Sequence, residues 1–404
     1  MGRFILGEKV KRIWNHNIES YLLLALLTAA WMGFGNLMAA IIVVLFIFSL
    51  FFKLNISLIL KDKVLLALLV VFTINNVISS LLSSDKLIST LLSLLWFLVI
   101  LMPVAYARFS MYKDSGFFLK IMTPISILSL LIIVVYMSII FLVTFSEQGL
   151  IFRRYSFAFA SMAKTTDILV MLGGIGYGWF REKRDGKYLW LGFLYLLLGG
   201  FGIFLTKDRG GAAAYFVMII ILLSHDYKRL ILFFIIIASV IFLSLKIESL
   251  QQVKYLYNYL ISRQSFEGLK SGHQLETFKS AWVVIKDNWL IGVGTNNVNK
   301  FIRKYSYTHN IVLQFWAENG LFGMIFGLSI IGLIWYRWFK TWKLFKYKYI
   351  ALGFGVSFIG MLIGNLTNST IWLVAIMLPF WLIAGVMNAM YFTVTNNEYN
   401  DSGG

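Results

Sequence analysis

The chain has 404 residues, of which 59% are hydrophobic and 13% charged. The charged share is about half that of a soluble domain. One soluble core could not cover so much apolar surface, which excludes a cytosolic enzyme and a disordered protein. There is no cysteine, so a disulfide scaffold, a thiolate metal site and a Cys nucleophile are also excluded. The formal charge is +18. In a chain this apolar, that charge points to basic cytosolic loops and to anionic lipid or phosphate ligands, with no nucleic-acid partner expected.

A spanning helix needs about 20 mostly apolar residues. About twelve stretches qualify: 21–35, 37–52, 64–82, 88–107, 121–144, 166–180, 188–206, 211–224, 230–246, 311–335, 349–364 and 369–391. The runs are continuous, so alternating barrel strands are excluded. Met1 to Ser20 is basic and polar, and no small-residue cleavage site follows the first run. The expectation is an all-α, polytopic membrane bundle. Residues 1–246 form an N-terminal transmembrane part, 247–310 a long helical loop, and 311–404 the C-terminal helices with a short polar tail.

Basic residues set the orientation. With the N-terminus inside, Arg3, Lys61, Arg108, Arg181, Lys228 and Arg337 are among the basic residues that face the cytosol. Few face out in short loops, namely Lys86, Arg153, Arg154, Lys164, Lys207 and Arg209. Both termini are therefore predicted cytoplasmic. His16 and His225 fall inside, His273 and His309 outside. Any chemistry should sit on the outer face.

Within the long loop, Leu275, Phe278, Trp282, Ile285 and Trp289 recur at helical steps. Glu276, Lys279, Ser280, Lys286 and Asp287 fill the other face. Leu250, Val253, Tyr257 and Leu260 repeat the spacing. The loop is either a soluble lid packed on the bundle or a pair of helices lying in the membrane interface, with Trp282 and Trp289 at headgroup depth. The segment Gly292-Val293-Gly294-Thr295-Asn296-Asn297 follows a helix and lacks a third glycine, so it is no dinucleotide fingerprint. It reads as a turn or as a phosphate nest.

Thr308 is a candidate N-cap, so that His309 would open a membrane helix. The helix dipole there would keep the imidazole neutral, ready to accept a proton. An isolated His at a helix end also serves as a structural hydrogen-bonder. Gly320, Gly323 and Gly327 allow close packing. Glu318 is an acid inside an apolar run and needs a partner. Arg209 closes a membrane helix in Thr206-Lys207-Asp208-Arg209-Gly210-Gly211. It is either an anchor paired with Asp208 or a fork for phosphate oxygens. Arg153 and Arg154 admit the same two readings.

Asn288-Trp289-Leu290-Ile291-Gly292-Val293-Gly294, then His309-Asn310, then Glu318-Asn319-Gly320-Leu321-Phe322-Gly323 resemble the O-antigen ligase and polymerase superfamily. The Thr206 to Gly211 element is similar to that family's arginine motif closing an earlier helix. The resemblance implies a multi-helix membrane glycosyltransferase fold of the GT-C-like kind. It implies an enzyme that takes a glycan from undecaprenyl diphosphate at the outer leaflet and moves it to an acceptor hydroxyl. It implies no metal and no cofactor. For a ligase the acceptor is lipid A-core, in lipopolysaccharide biosynthesis. For a polymerase of O-antigen, capsule or exopolysaccharide it is another lipid-linked repeat unit.

Carried over residue by residue, the essential His falls on His309 and the first essential Arg on Arg209. Ligases commonly carry a second Arg just before the amphipathic helix, where this chain has Gln274 beside His273. Gln can hydrogen-bond a phosphate but cannot neutralise it. Arg263, Lys270, Arg154 or His273 would then assist, with Asn310 and Glu318 as further substrate-binding candidates. The rival outside enzymes is a flippase or transporter of the same lipid. Such proteins show internal repeats and broken helices, and no repeat is evident here.

Overall fold

The computed structural model describes residues 61–148, 162–224, 226–246, 273–302, 308–367 and 374–401. Eleven helices run through them: α1 (Lys63–Leu81), α2 (Lys86–Gln148), α3 (Met162–Glu182), α4 (Gly186–Thr206), α5 (Arg209–Leu223), α6 (Tyr227–Lys246), α7 (His273–Asp287), α8 (Val298–Phe301), α9 (Ile311–Thr341), α10 (Lys348–Gly364) and α11 (Val374–Asp401). The described residues contain no strand. The predicted stretches 21–35 and 37–52 lie outside the described residues, as do residues 369–373 of the last one, and the other ten are helical over their described parts.

Among the described residues, six spans are long and apolar enough to cross a membrane: Lys63–Leu81, Lys86–Tyr112, Phe118–Val143, Gly186–Thr206, Ile311–Thr341 and Ile376–Thr395. Helix α2 carries two of them. The Tyr106 and Phe118 rings lie 6.3 Å apart, whereas twelve residues of straight helix rise about 18 Å. The helical path therefore bends sharply between them. The chain is a multi-pass membrane protein, as its apolar helices require.

Small residues fix the tightest helix pair. Gly174 and Gly178 of α3 are four apart and face Gly353 of α10. A Cβ on Gly353 would lie 2.4 Å from the Gly174 carbonyl oxygen. This is the close backbone approach that small residues at i and i+4 permit in a bilayer. Hydroxyl and indole groups at helix contacts donate to backbone carbonyls of neighbours. Tyr195 Oη donates to Leu172 O at 2.8 Å, Tyr215 Oη to Leu196 O at 2.9 Å, and Trp338 Nε1 to Ala351 O at 2.8 Å.

The helices alternate in direction, so the bundle has two ends. One holds the starts of α3, α5 and α9 and the ends of α4 and α10, and with them Arg209 and His309. The other holds Asp62, Arg108, Arg181 and Arg337. There Arg337 donates to both Asp62 oxygens, at 2.6 and 2.9 Å, and to Asn388 Oδ1 at 2.6 Å. Asn388 returns a bond to Asp62 at 3.1 Å. Arg108 stands 3.7 Å from the same carboxylate and lies over the Phe392 ring.

Helix α9 is broken. Gly320 has φ 69° and ψ −173°, outside the helical region. The break turns the first segment sharply: the Phe315 ring packs against Gly327, twelve residues on. The three glycines thus do more than the close packing expected of them. Gly320 is the hinge itself, because a left-handed backbone strains any residue with a Cβ.

Candidate functional site

The arginine motif sits in a turn between two helices. Helix α4 ends at Thr206, and Lys207 caps it with left-handed φ 53° and ψ 27°. Asp208 is the N-cap of α5, and Arg209 is that helix's first residue. The expectation that Arg209 closes a membrane helix is thus corrected: the Lys207 cap reverses the chain first, and Arg209 opens the next helix. There a guanidinium adjoins the positive end of the helix dipole, and together they favour an anion. Arg209 is half-buried. Gly211 lets α5 approach α3, for a Cβ there would overlap the Thr166 side chain. Thr166 Oγ1 donates to Thr206 Oγ1 at 3.1 Å.

His309 is placed by its neighbours. Asn310, not Thr308, is the N-cap of α9, with its side-chain oxygen accepting from Val312 N at 2.9 Å and Leu313 N at 3.0 Å. His309 therefore precedes the helix instead of opening it, with φ 57°. Thr308 is drawn off the cap because its amide donates to Gln314 Oε1 at 2.8 Å and its hydroxyl to Asn310 O at 2.8 Å. A left-handed non-glycine residue costs about 1–3 kcal/mol and persists only where surroundings enforce it. His309, like Arg209, is half-buried.

The end of α10 joins the two motifs. Asn310 Nδ2 donates to Leu366 O and Ile311 N to Asn365 O, each at 2.9 Å. Gly364 of the same helix end lies against Asp167 of α3, whose Oδ1 would be 3.0 Å from a Cβ at that glycine. Asp167 is buried and adjoins Thr166, which bonds Thr206 beside the Arg209 turn. A row of polar groups thus runs from His309 through α10 and α3 to the start of α5. Sequence reasoning missed Asp167. The signal was there, an acid within the apolar run 166–180, the same criterion that drew attention to Glu318.

The glycine-rich segment after α7 is a structural clip. Val293 N donates to Ala317 O at 2.9 Å and Gly294 N to Glu318 O at 2.8 Å, while Leu321 N donates to Trp289 O at 2.9 Å. The carbonyls freed by the break in α9 also accept from Ser79 Oγ and Asn75 Nδ2, each at 2.7 Å. Gly292 and Gly294 have φ 81° and 91°, and a Cβ on Gly292 would lie 2.4 Å from Glu318 O. These amides are committed to protein acceptors, so the phosphate-nest reading fails and the turn reading holds. Beneath the clip, Ser80, Ser89, Ser93 and Thr295 share a buried hydroxyl network.

Helix α7 is amphipathic, as expected, but its buried face is rotated. Thr277, Ala281, Val284 and Ile285 face the bundle, while Trp282 is 44% exposed and Trp289 52%. Small Thr277 and Ala281 let α7 settle closely, which turns the indole of Trp282 sideways onto Trp316, at 5.6 Å and edge-on. Trp289 falls in the turn after the helix. Helix α7 is thus packed on the bundle through its small face, with both indoles at the surface.

Of the remaining candidates, Glu318 is buried, with its carboxylate accepting from Gln314 Nε2 at 2.7 Å and from the Asn296 amide. Asn310 is the cap already described. His273 and Gln274 form the first turn of α7. Arg153, Arg154, Arg263 and Lys270 lie outside the described residues, as does the Leu250 to Leu260 stretch. The described residues hold no group of three or more His, Asp or Glu disposed to bind a metal.

No curated protein matches this chain. A family model described as O-antigen ligase matches residues 193–328, from the middle of α4 past the break in α9. That interval contains the Arg209 turn, α7, the clip, His309 and Glu318. It supports a glycosyltransferase-type activity of the O-antigen ligase or polymerase kind, with a lipid-linked glycan and an acceptor as partners. The resemblance of this chain to the O-antigen ligase and polymerase superfamily, first seen in its short motifs, is thereby shown.

Proposed function

We propose that the protein is an inverting, metal-independent glycosyltransferase of GT-C-like build, in the cytoplasmic membrane of a bacterium with its site facing outward. It takes a glycan from undecaprenyl diphosphate and transfers it to a sugar hydroxyl, as an O-antigen ligase acting on lipid A-core. The observation that carries this reading is that Arg209 and His309 occupy one end of the bundle, both half-buried, joined through Asp167 and the end of α10.

The acceptor oxygen attacks the anomeric carbon from the face opposite the diphosphate. The bond from that carbon to the phosphate oxygen breaks, and the leaving diphosphate keeps the electron pair. Arg209, at the positive end of α5, binds the charge that develops there. His309 takes the proton of the attacking hydroxyl. A positioned general base is worth about 10²–10⁴ in rate. Two carboxylates of a hydrolase type are not needed.

A polymerase of lipid-linked repeat units is the second reading, favoured by Gln274 where ligases commonly carry Arg. A transporter gains little from the broken helix, since the carbonyls freed at Gly320 are met by protein donors and do not line a path.

Membrane preparations supplied with lipid-linked glycan extracted from the host cell distinguish these readings. Release of polyprenyl diphosphate that requires added lipid A-core marks a ligase, and release without it marks a polymerase. His309→Ala should insert normally and lower transfer at least about 100-fold. Transfer at the wild-type rate by a well-inserted His309→Ala protein would remove the base role.

A further inference from the structure

A chain of buried hydrogen bonds leads from His309 to the clip and has no part in the transfer step itself. The Thr308 amide donates to Gln314 Oε1 at 2.8 Å. Gln314 Nε2 donates to Glu318 Oε1 at 2.7 Å. The Glu318 carboxylate also accepts the Asn296 amide. Thr308, Gln314 and Glu318 are each at most 4% exposed, so water does not compete for these bonds. Gln314 and Glu318 are four apart on the first segment of α9, one above the other on its surface.

This chain explains how His309 keeps a left-handed backbone. Thr308, on one side, is held through Gln314. Asn310, on the other, is held by the Val312 and Leu313 amides and by Leu366 O. At the far end Asn296 belongs to the clip and is itself left-handed, with φ 61°. The clip follows α7 directly and is anchored at its other side by the Lys300–Asp85 ion pair. The seating of α7 and the setting of the imidazole are thus one connected structure.

We infer that Gln314 and Glu318 are positioning residues for His309, acting through a Thr308–Gln314–Glu318–Asn296 relay that couples the base to the docking of α7. The inference rests on the reading of His309 as the base and adds two residues to the machinery. Neither touches substrate. Gln314 is required because it alone in the relay supplies one acceptor and one donor at once. Glu318 is required as an acceptor for two donors. Its assignment among substrate-binding groups is replaced here by a positioning role.

The relay can be rebuilt with its charge moved. In the double variant Q314E/E318Q, the carboxylate that replaces the Gln314 carboxamide accepts from the Thr308 amide. It also accepts from the nitrogen of the carboxamide that replaces the Glu318 carboxylate. The oxygen of that new carboxamide then accepts from Asn296. In the single variant Q314E two buried carboxyls meet and cannot both ionise, so they share one proton and the Thr308 acceptor survives. The experiment measures transfer kinetics for the purified full-length protein, with host lipid-linked glycan as donor, for H309A, Q314L, Q314E, E318Q and the double variant. Q314L should lose about tenfold or more in kcat with the donor KM within about twofold, Q314E should lose less, and the double variant should keep most of the wild-type kcat.

A wild-type kcat in Q314L overturns the relay, as does a double variant as impaired as Q314L. Should Q314L not accumulate as folded protein, the double variant decides by itself, since a loss of about tenfold in its kcat overturns the relay. H309A separates the two claims. An active H309A removes the base reading and the relay with it, whereas an inactive H309A beside a fully active Q314L removes the relay alone.

Discussion

Two arginines at opposite ends of the bundle make the most instructive comparison. Arg337 is 7% exposed, forked onto both oxygens of Asp62 and bonded to Asn388. Arg209 is half-buried and starts a helix, beside amides that also present positive charge. The first guanidinium has its counter-charge built into the fold. The second adjoins a helix N-terminus, where an anion is favoured. An arginine in an apolar chain is therefore not a site by its presence. Its surroundings decide whether it holds helices together or holds a ligand.

The largest effect expected is on the structural side of this comparison. Asp62→Ala would leave Arg337 and Arg108 buried without their carboxylate, and breaking a buried pair costs about 3–5 kcal/mol. Thermal unfolding in detergent should show that loss, while transfer per folded molecule stays at the wild-type level. Arg209→Lys should do the reverse. A point charge cannot replace a planar fork on phosphate oxygens, so kcat/KM should fall about tenfold or more, at least about 1.4 kcal/mol of transition-state binding. Its unfolding midpoint should move less than that of Asp62→Ala. If both variants lost stability and activity in parallel, the distinction between the two arginines would collapse.

A pH titration sharpens the same contrast. Burial opposes ionisation of Asp62, but the hydrogen bond and charge of Arg337, with the Asn388 and Leu65 donors, outweigh it and hold the carboxyl below its usual 3.8. A carboxyl whose folded value is depressed contributes stability that is full above its unfolded value and lost as pH falls through the folded one. The stability gap between wild type and Asp62→Asn should therefore be constant from neutral pH down to about 5 and close only in strong acid. A gap that closed at about pH 6 would assign the effect to another group.

What the sequence made legible follows from the range of each interaction. Apolar runs are local, and the described parts of ten of them are helical. The motif residues His309 and Arg209 were found by resemblance and, for Arg209, by a charge that the expected topology disfavours. Their exact settings were not, because Thr308 is taken from the cap by a side chain six residues on and Lys207 reverses the chain before Arg209. The tilt of α7 escaped the pattern of large residues because the small ones, Thr277 and Ala281, set the contact. Asp62, Arg337 and Asn388 read as unrelated polar residues, since long stretches of chain separate the partners. The break at Gly320 was invisible as a break because its donors come from the clip and α1, elsewhere in the chain.

The smallest effect separates the two cations that share Asp62. Arg337 is hydrogen-bonded to it at both oxygens, whereas Arg108 approaches only to 3.7 Å and spreads over the Phe392 ring at 3.7 Å. The Asp62 charge is thus met by Arg337 first, and Arg108 contributes a longer-range attraction together with a cation–π contact. Arg108→Gln removes both and leaves the Arg337 fork intact, so the expected loss is about 1–2 kcal/mol, below that of Asp62→Ala. Arg108→Met keeps the apolar stem against Phe392 and should cost less than Gln if packing dominates. Unfolding midpoints of the two variants decide it: a larger loss in Met than in Gln would mean that polarity near Asp62, more than contact with the ring, is what Arg108 supplies.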